Sequence, residues 1–300
     1  METTTTIGAI NFSFYIIFWI SVVLLLGVTV AMLYFVVKYH HKRSAGPKNI
    51  EGHFWLEVVW TVIPTLLVLV MFYYGWVGFE RVRDVPKDAM VVKVTGQMWS
   101  WLFEYENGKQ AIDLYVPVNK PVKLVLTSRD VNHSFFVSAF KLKEDCIPGR
   151  ENYLWFEANK VAAYDIQCAE YCGTRHSAML AKLHVLPKDG FDLWYNTILE
   201  TKQMKGDQLL RIKGCLSCHS LDGTKLVGPS FKGLFGRKEI VKMRGGEASI
   251  VADEEYLRES ILNPEAKIVK GYPAGQMPPQ EGLLSEEELD HMLKYLEELQ

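Results

Sequence analysis

The spacing of apolar residues divides the chain into four parts. Between residues 12 and 37 no side chain is charged, which predicts a helix over about 12–38. At 1.5 Å per residue that run is roughly 39 Å long, more than the ~30 Å of a hydrocarbon core. A second run, rich in Leu, Val and aromatic residues, predicts another helix over about 56–80, with Pro64 inside it. Proline is tolerated in a membrane helix where neighbouring groups satisfy the freed carbonyl. Residues 1–85 therefore read as a transmembrane hairpin. Residues 86–188 change character: short runs at 122–126 and 153–156 alternate loosely, punctuated by Asn107-Gly108, Asn119 and Pro148-Gly149. That predicts an all-β sandwich or barrel. Residues 189–205 read as a linker. Residues 206–300 form the last part, which ends on a helical stripe of Leu289, Met292, Leu293, Leu296 and Leu299. Ser285-Glu-Glu-Glu288 before that stripe is a capping-box signal. The Gly-rich segment at about 238–252 fits neither pattern and reads as an insertion.

Charge orients the hairpin. Lys38, Lys42, Arg43 and Lys48 fall between the two spans, and basic residues mark a cytoplasmic loop. Both termini then lie on the outer side. The opening METTTTIG has no basic region and the first span is too long for a signal-peptide core, so an uncleaved first helix is expected. Trp19, Trp60 and Trp76 suit either interface anchoring or packing. Glu57 opens the second span, where an ionisable side chain either snorkels and caps the helix or does functional work. The formal net charge is only −2 and no strongly basic stretch occurs, so nucleic acid is excluded as a partner and the lipid bilayer is implied.

Two clusters carry chemistry. The first, Cys168-Ala-Glu-Tyr-Cys172-Gly-Thr-Arg-His176-Ser-Ala-Met179, places two thiols, an imidazole and a thioether within twelve residues. That soft donor set suits copper. His133 stands between two strand-like runs and joins the set. Two thiolates can bridge two copper ions, leaving one imidazole and one weak axial ligand for each. A structural zinc site with two Cys and two His is the rival, since Cys-x-x-x-Cys-x-x-x-His is acceptable zinc spacing; Met179 and the second cluster count against it. That second cluster, Cys215-Leu-Ser-Cys218-His219, is the attachment pattern of a c-type haem. Such a haem is built outside the cytoplasm, in keeping with the charge argument. Of the five cysteines only Cys146 belongs to neither cluster, and it reads as a buried free thiol.

The order His133-Ser-Phe135, Lys143-Glu-Asp145-Cys-Ile-Pro148-Gly149-Arg150 and then the cluster at 168–179 resembles subunit II of the haem–copper cytochrome c oxidases, here followed by a cytochrome c domain. The resemblance covers roughly residues 10–187. It implies a two-helix hairpin, a cupredoxin-like β-sandwich and an all-α class-I cytochrome c domain. It implies that Cys168 and Cys172 bridge a dinuclear copper centre, CuA, with His133, His176, Met179 and the main-chain carbonyl of Glu170 completing it. The Glu170 carboxylate is implied to reach a magnesium ion shared with the catalytic subunit. Trp99 occupies the place of the tryptophan through which electrons enter, although Ser100 replaces the tyrosine usual beside it. Glu57 matches an acidic residue at a proton-uptake entrance. Cys146 departs from the family, where a small non-thiol residue is usual.

The last domain resembles a small class-I cytochrome c. That likeness implies one covalent haem c on Cys215 and Cys218, with His219 as an iron ligand and the Pro229 carbonyl fixing its tautomer. For the sixth ligand Met277, in a stiff Pro-flanked loop, is expected, with Met243 and Met292 as competitors. The implied function is electron entry: from a cytochrome or membrane complex to haem, to CuA, and on to catalytic subunit I for dioxygen reduction and proton pumping. The implied place is a bacterial inner membrane. A nitric-oxide reductase fed by the same copper centre keeps the chemistry and changes the acceptor. A membrane-anchored copper-binding or redox-sensing module is the rival of another class.

Overall fold

The computed structural model of the chain describes residues 4–5, 7–43, 46, 51–197 and 205–299. Lys48 and half of the opening METTTTIG lie outside them. Two helices come first, α1 (Ile7–Lys38) and α2 (Phe54–Arg83). Both are long and apolar enough to cross a membrane, with mean hydropathy reaching 2.7 over an 18-residue stretch of the first and 2.1 over one in the second, and neither stretch is buried within the protein. A helix that is apolar all round needs an apolar solvent. Ser13 Oγ donates to the Tyr74 carbonyl at 3.0 Å, and the Phe12 and Tyr74 rings meet edge-on at 5.5 Å. The start of α1 therefore lies beside the end of α2, making an antiparallel hairpin. His53 caps α2 by accepting from the Leu56 N–H at 3.3 Å. Pro64 is accommodated without ending the helix.

The free ends of both helices reach the β domain. Thr4 pairs with Ala158, Lys141 Nζ donates to Asn11 Oδ1 at 2.6 Å, and Arg83 Nη1 donates to the Tyr153 carbonyl at 2.6 Å. Arg83 also pairs with Glu144 at 2.7 Å. The chain start and the β domain thus share one end of the hairpin, and the basic connection lies at the other.

Ten strands build the β domain: β1 (Met90–Gln97), β2 (Ser100–Tyr105), β3 (Gln110–Ala111), β4 (Leu114–Pro117), β5 (Pro121–Ser128), β6 (His133–Val137), β7 (Leu142–Cys146), β8 (Asn152–Glu157), β9 (Ala162–Cys168) and β10 (Leu180–Leu186). They form two five-stranded sheets, ordered β3-β2-β1-β5-β8 and β4-β10-β9-β6-β7. Strict alternation along β5 buries Val122, Leu124 and Leu126 and turns the residues between them outward. Trp101 and Phe103 from one sheet meet Phe135 from the other edge-on at 5.6 and 6.4 Å. Fully burying such a ring stabilises the sandwich by about 1.5–3 kcal/mol.

Helix α3 (Lys188–Asn196) belongs to this domain. Phe191 is buried in the sandwich core, and Trp194 stacks on Tyr115 at 4.3 Å. The first part of the expected linker is therefore packed structure, because Phe191, Trp194 and Tyr195 share one helical face. Residues 198–204 of that linker lie outside the described residues.

The last domain contains α4 (Gly206–Ile212), β11 (Lys238–Met243), β12 (Gly246–Val251), α5 (Glu254–Leu262), β13 (Ile268–Val269) and α6 (Glu286–Glu298). Leu209 and Leu210 of α4 pack with Leu289, Met292, Leu293 and Leu296 of α6. Ser285 and Glu288 make the reciprocal cap, at 3.2 and 3.0 Å. The segment over 238–252 adds an element to a helical domain. It is a β-hairpin that turns at Arg244-Gly245 and opens its second strand at Gly246, where φ is +120°, and joins β13 in a three-stranded sheet. Val241 anchors it in the core.

Candidate metal and haem sites

The copper-type cluster sits at one end of the sandwich, where β6 begins and β9 ends. Cys168 closes β9, Cys172 follows in a loop, and His176 opens a short 3₁₀ turn before β10. The donor atoms converge. Cys168 Sγ and Cys172 Sγ are 3.8 Å apart. His133 Nδ1 lies 3.9 Å from Cys168 Sγ, and His176 Nδ1 lies 3.4 Å from Cys172 Sγ. Met179 Sδ is 3.9 Å from Cys172 Sγ, and the Glu170 carbonyl is 3.2 Å from Cys168 Sγ. Each sulfur thus has its own imidazole and its own weak donor. That arrangement fits two soft metal ions held by a shared pair of thiolates. The Glu170 side chain is exposed at the rim.

Electrostatics separate the two thiols. Burial opposes ionisation of Cys168, but His133 and main-chain hydrogen bonding at Ser134 and Glu170 outweigh it and bring the thiol to about 6. Cys172 is pushed up to about 12 by burial and by the neighbouring thiolate.

Asp130 is a site residue that motif reading missed. Its Oδ1 lies 2.8 Å from His133 Nε2, which turns Nδ1 toward the sulfurs. Its Oδ2 accepts from the Met98 N–H at 2.7 Å. A carboxylate behind a metal-binding imidazole fixes both ring orientation and tautomer. The available signal was an acidic residue three positions before the histidine. Gly96 is needed as well: a Cβ there would stand 2.9 Å from His133 Cδ2.

Trp99 is buried and donates its indole N–H to the Cys172 carbonyl at 3.0 Å. Gly173, at φ +112°, lets the ring approach, since its Cβ would lie 3.2 Å from Trp99 Cζ2. Cys146 pairs with His133 across β6 and β7. It is fully buried, and that burial pushes its thiol up to about 12.

A cavity of about 400 Å³ lies in the last domain and is lined by Cys215, Cys218, His219, Pro229, Met277 and Met292, among others. His219 Nδ1 lies 2.7 Å from the Pro229 carbonyl, so Nε2 remains for a metal. Phe231 stacks on the imidazole at 4.4 Å with the planes 9° apart. Burial lowers the His219 pKa and keeps the ring neutral, as an iron ligand must be. Gly228 is fixed by the same ring: a Cβ there would come 2.5 Å from His219 Cε1. Two thiols, one oriented imidazole and a thioether around a largely apolar cavity fit a covalently held haem. Met243 is on the hairpin and lines no part of the cavity. Met292 does line it, but its side chain is buried in the α4–α6 core.

The cavity is not walled by one domain alone. Gln97, Met98, Arg129 and Asp130 of the β domain line it too. Met98 therefore faces the cavity while its neighbour Trp99 touches the Cys172 main chain.

Glu57 lies in the first turn of α2, exposed, at the end of the hairpin away from the β domain.

Residues 3–75 match the family described as cytochrome c oxidase subunit II, transmembrane domain. Residues 110–185 match cytochrome c oxidase subunit II, periplasmic domain, and 203–300 match cytochrome c. A cytochrome c oxidase subunit 2 of Alkalihalophilus pseudofirmus is 30% identical over 302 residues, covering 93% of this chain and 84% of that one. One from Thermostichus vulcanus is 31% identical, covering 60% and 72%. A crystal structure of the periplasmic domain of subunit II of cytochrome oxidase from Bradyrhizobium japonicum is 35% identical, covering 38% of this chain and 96% of that one, at a TM-score of 0.36. With both subunit II domains and the cytochrome domain matched in order, and a relative 30% identical over 93% of the chain, this chain belongs to the cytochrome c oxidase subunit II family and carries a cytochrome c domain.

Proposed function

We propose that this chain is the electron-entry subunit of a bacterial inner-membrane cytochrome c oxidase. It takes electrons from a cytochrome or membrane complex at its cytochrome domain and passes them through its copper domain to catalytic subunit I, where dioxygen is reduced and protons are pumped. When bound, one haem c and a dinuclear copper centre would each accept and release a single electron. Cys215 and Cys218 would hold the haem covalently, with His219 and Met277 on its iron. Cys168 and Cys172 would bridge the coppers, with His133, His176, Met179 and the Glu170 carbonyl as their remaining ligands. Met277 is preferred to Met292 because it lines the cavity from a stiff Pro-flanked loop, whereas Met292 is spent on packing.

The observation that carries this reading is the sequence of contacts from one site to the other. Met98 lines the haem cavity, Trp99 follows it in the chain, and the Trp99 indole donates to the Cys172 carbonyl. Asp130 ties the two ends together by holding the Met98 main chain and the His133 ring at once. Frames held this firmly keep ligand geometry fixed while charge moves. Holding the donor domain in the same chain replaces a diffusional encounter with an intramolecular one.

The Glu170 carboxylate, exposed beside the copper cluster, is proposed to bind magnesium with a neighbouring subunit, a hard oxygen ligand for a hard cation. Glu57, at the cytoplasmic end of α2, is proposed to stand at a proton-uptake entrance. The deciding experiment isolates the complex by a tag on this chain and assays it with reduced cytochrome and either dioxygen or nitric oxide. Dioxygen consumption by a complex containing a large haem-bearing membrane subunit supports the reading. Turnover of nitric oxide alone moves the chain to a reductase, and a stable lone chain makes it a sensor or copper carrier.

A further inference from the structure

The loops that carry the two cysteine motifs touch through polar contacts that neither metal site requires. Arg175 stands between Cys172 and His176, and its Nη1 donates to the main-chain carbonyl of Ser217. Ser217 itself lies between Cys215 and Cys218. Among the described residues Arg175 forms no ion pair, so its guanidinium is committed to the neighbouring domain. A second contact runs alongside. Gln97 Nε2 donates to the Lys213 carbonyl at 3.4 Å, while Arg129 Nη1 holds Gln97 Oε1 at 2.8 Å.

Between these contacts the backbone has been cleared of side chain. Gly214 adopts φ +79°, and a Cβ there would stand 2.8 Å from Ser100 Oγ and closer still to Gln97 Nε2. A residue with a side chain would be strained by its own backbone and would push the two domains apart. Two hydrogen bonds to main-chain carbonyls and one cleared approach describe a fitted joint.

We infer that Arg175 is a positioning residue that clamps the haem-attachment turn onto the copper-ligand loop, so that the cytochrome domain is docked and the separation of the two redox groups is fixed. The inference rests on the electron route proposed above. Chemistry favours arginine for this task. Its planar fork keeps a full charge at every relevant pH and reaches a carbonyl with little loss of freedom per bond, whereas lysine offers a flexible point charge.

The test uses the full chain carrying copper and haem, as parent, Arg175→Met, Arg175→Lys and Gln97→Ala. Amide hydrogen exchange over 213–218 and 97–100 reads the joint itself. Reduction of the haem by a light-triggered one-electron donor, followed by its reoxidation, reads the transfer. The clamp predicts protected amides in the parent and lost protection in Arg175→Met, with Arg175→Lys in between and Gln97→Ala weakened. The concentration-independent transfer rate falls by at least about tenfold in Arg175→Met, because small misplacements of reacting partners are costly, while the haem and copper spectra stay unchanged. Parent-like exchange in Arg175→Met overturns the clamp, whatever copper that variant retains. Parent-like transfer in both Arg175→Met and Gln97→Ala overturns it too. Absence of concentration-independent transfer in the parent instead overturns the route on which the inference rests, and exchange then still reports on the joint.

Discussion

The Trp99 indole N–H and the Cys172 main-chain carbonyl are joined by a 3.0 Å hydrogen bond, which ties the turn between β1 and β2 to the loop that follows Cys168. Trp99→Phe keeps a ring in the site and removes that bond. Leaving the buried carbonyl without a partner should cost about 1–3 kcal/mol of stability. Transfer from haem to copper should slow on the order of tenfold or more. Thermal unfolding together with flash-induced haem oxidation checks both effects, and a variant with parent-like transfer would remove Trp99 from the route.

Asp130 acts through His133. Asp130→Asn retains the size of the side chain but removes the charge behind the imidazole and offers one acceptor oxygen where the carboxylate uses one for the Met98 N–H and the other for the His133 ring. Loss of such a supporting carboxylate typically lowers metal affinity about 10–100-fold. Copper retention against a graded chelator should fall accordingly, with the haem absorption unchanged. Unchanged retention would mean that His133 is oriented by packing alone.

In the metal-free chain the cysteines should react in a definite order. Cys168, at about 6, is a thiolate at neutral pH. Cys172 and Cys146 sit at about 12, and Cys218 at about 11, so they stay protonated. Only the thiolate is nucleophilic. Alkylation of Cys168 should therefore rise as pH increases through about 6 and run ahead of the others at pH 7, as peptide mass spectrometry would register. Faster labelling of Cys172 would contradict the electrostatic picture of the pair.

Met277 and Met292 both line the haem cavity, and substitution separates them. Met277→Ala should leave the haem covalently attached but strip its weak sixth ligand, lowering the reduction potential and the low-spin signature. Met292→Leu conserves volume in the core and should cost less than about 1.5 kcal/mol while leaving the iron spectrum intact. The opposite pattern would exchange the two assignments.

Much of this architecture was legible in the chain because it is local. An uncharged run of helix-spanning length, the loose alternation over 122–126 and the cysteine clusters each sit within a few dozen residues. What escaped the reading depends on closure in three dimensions. Asp130 supports Met98 from 32 residues away, and Arg175 meets Ser217 across 42. No spacing rule announces such pairs. Helix α3 was hidden for a different reason. Its nine residues include Gly190 and sit directly after Pro187, so the segment reads as the start of a linker. The hairpin over 238–251 was obscured by its glycines, which mark the turn that makes the pairing possible.

The copper-to-haem ratio of the purified chain tests the central claim most directly. Two copper atoms sharing one unpaired electron by electron paramagnetic resonance, beside one thioether-linked haem per chain, is the predicted result. Zinc in place of copper, a single isolated cupric ion, or no covalent haem would contradict a relay built on Cys168, Cys172 and the Cys215–Cys218 pair.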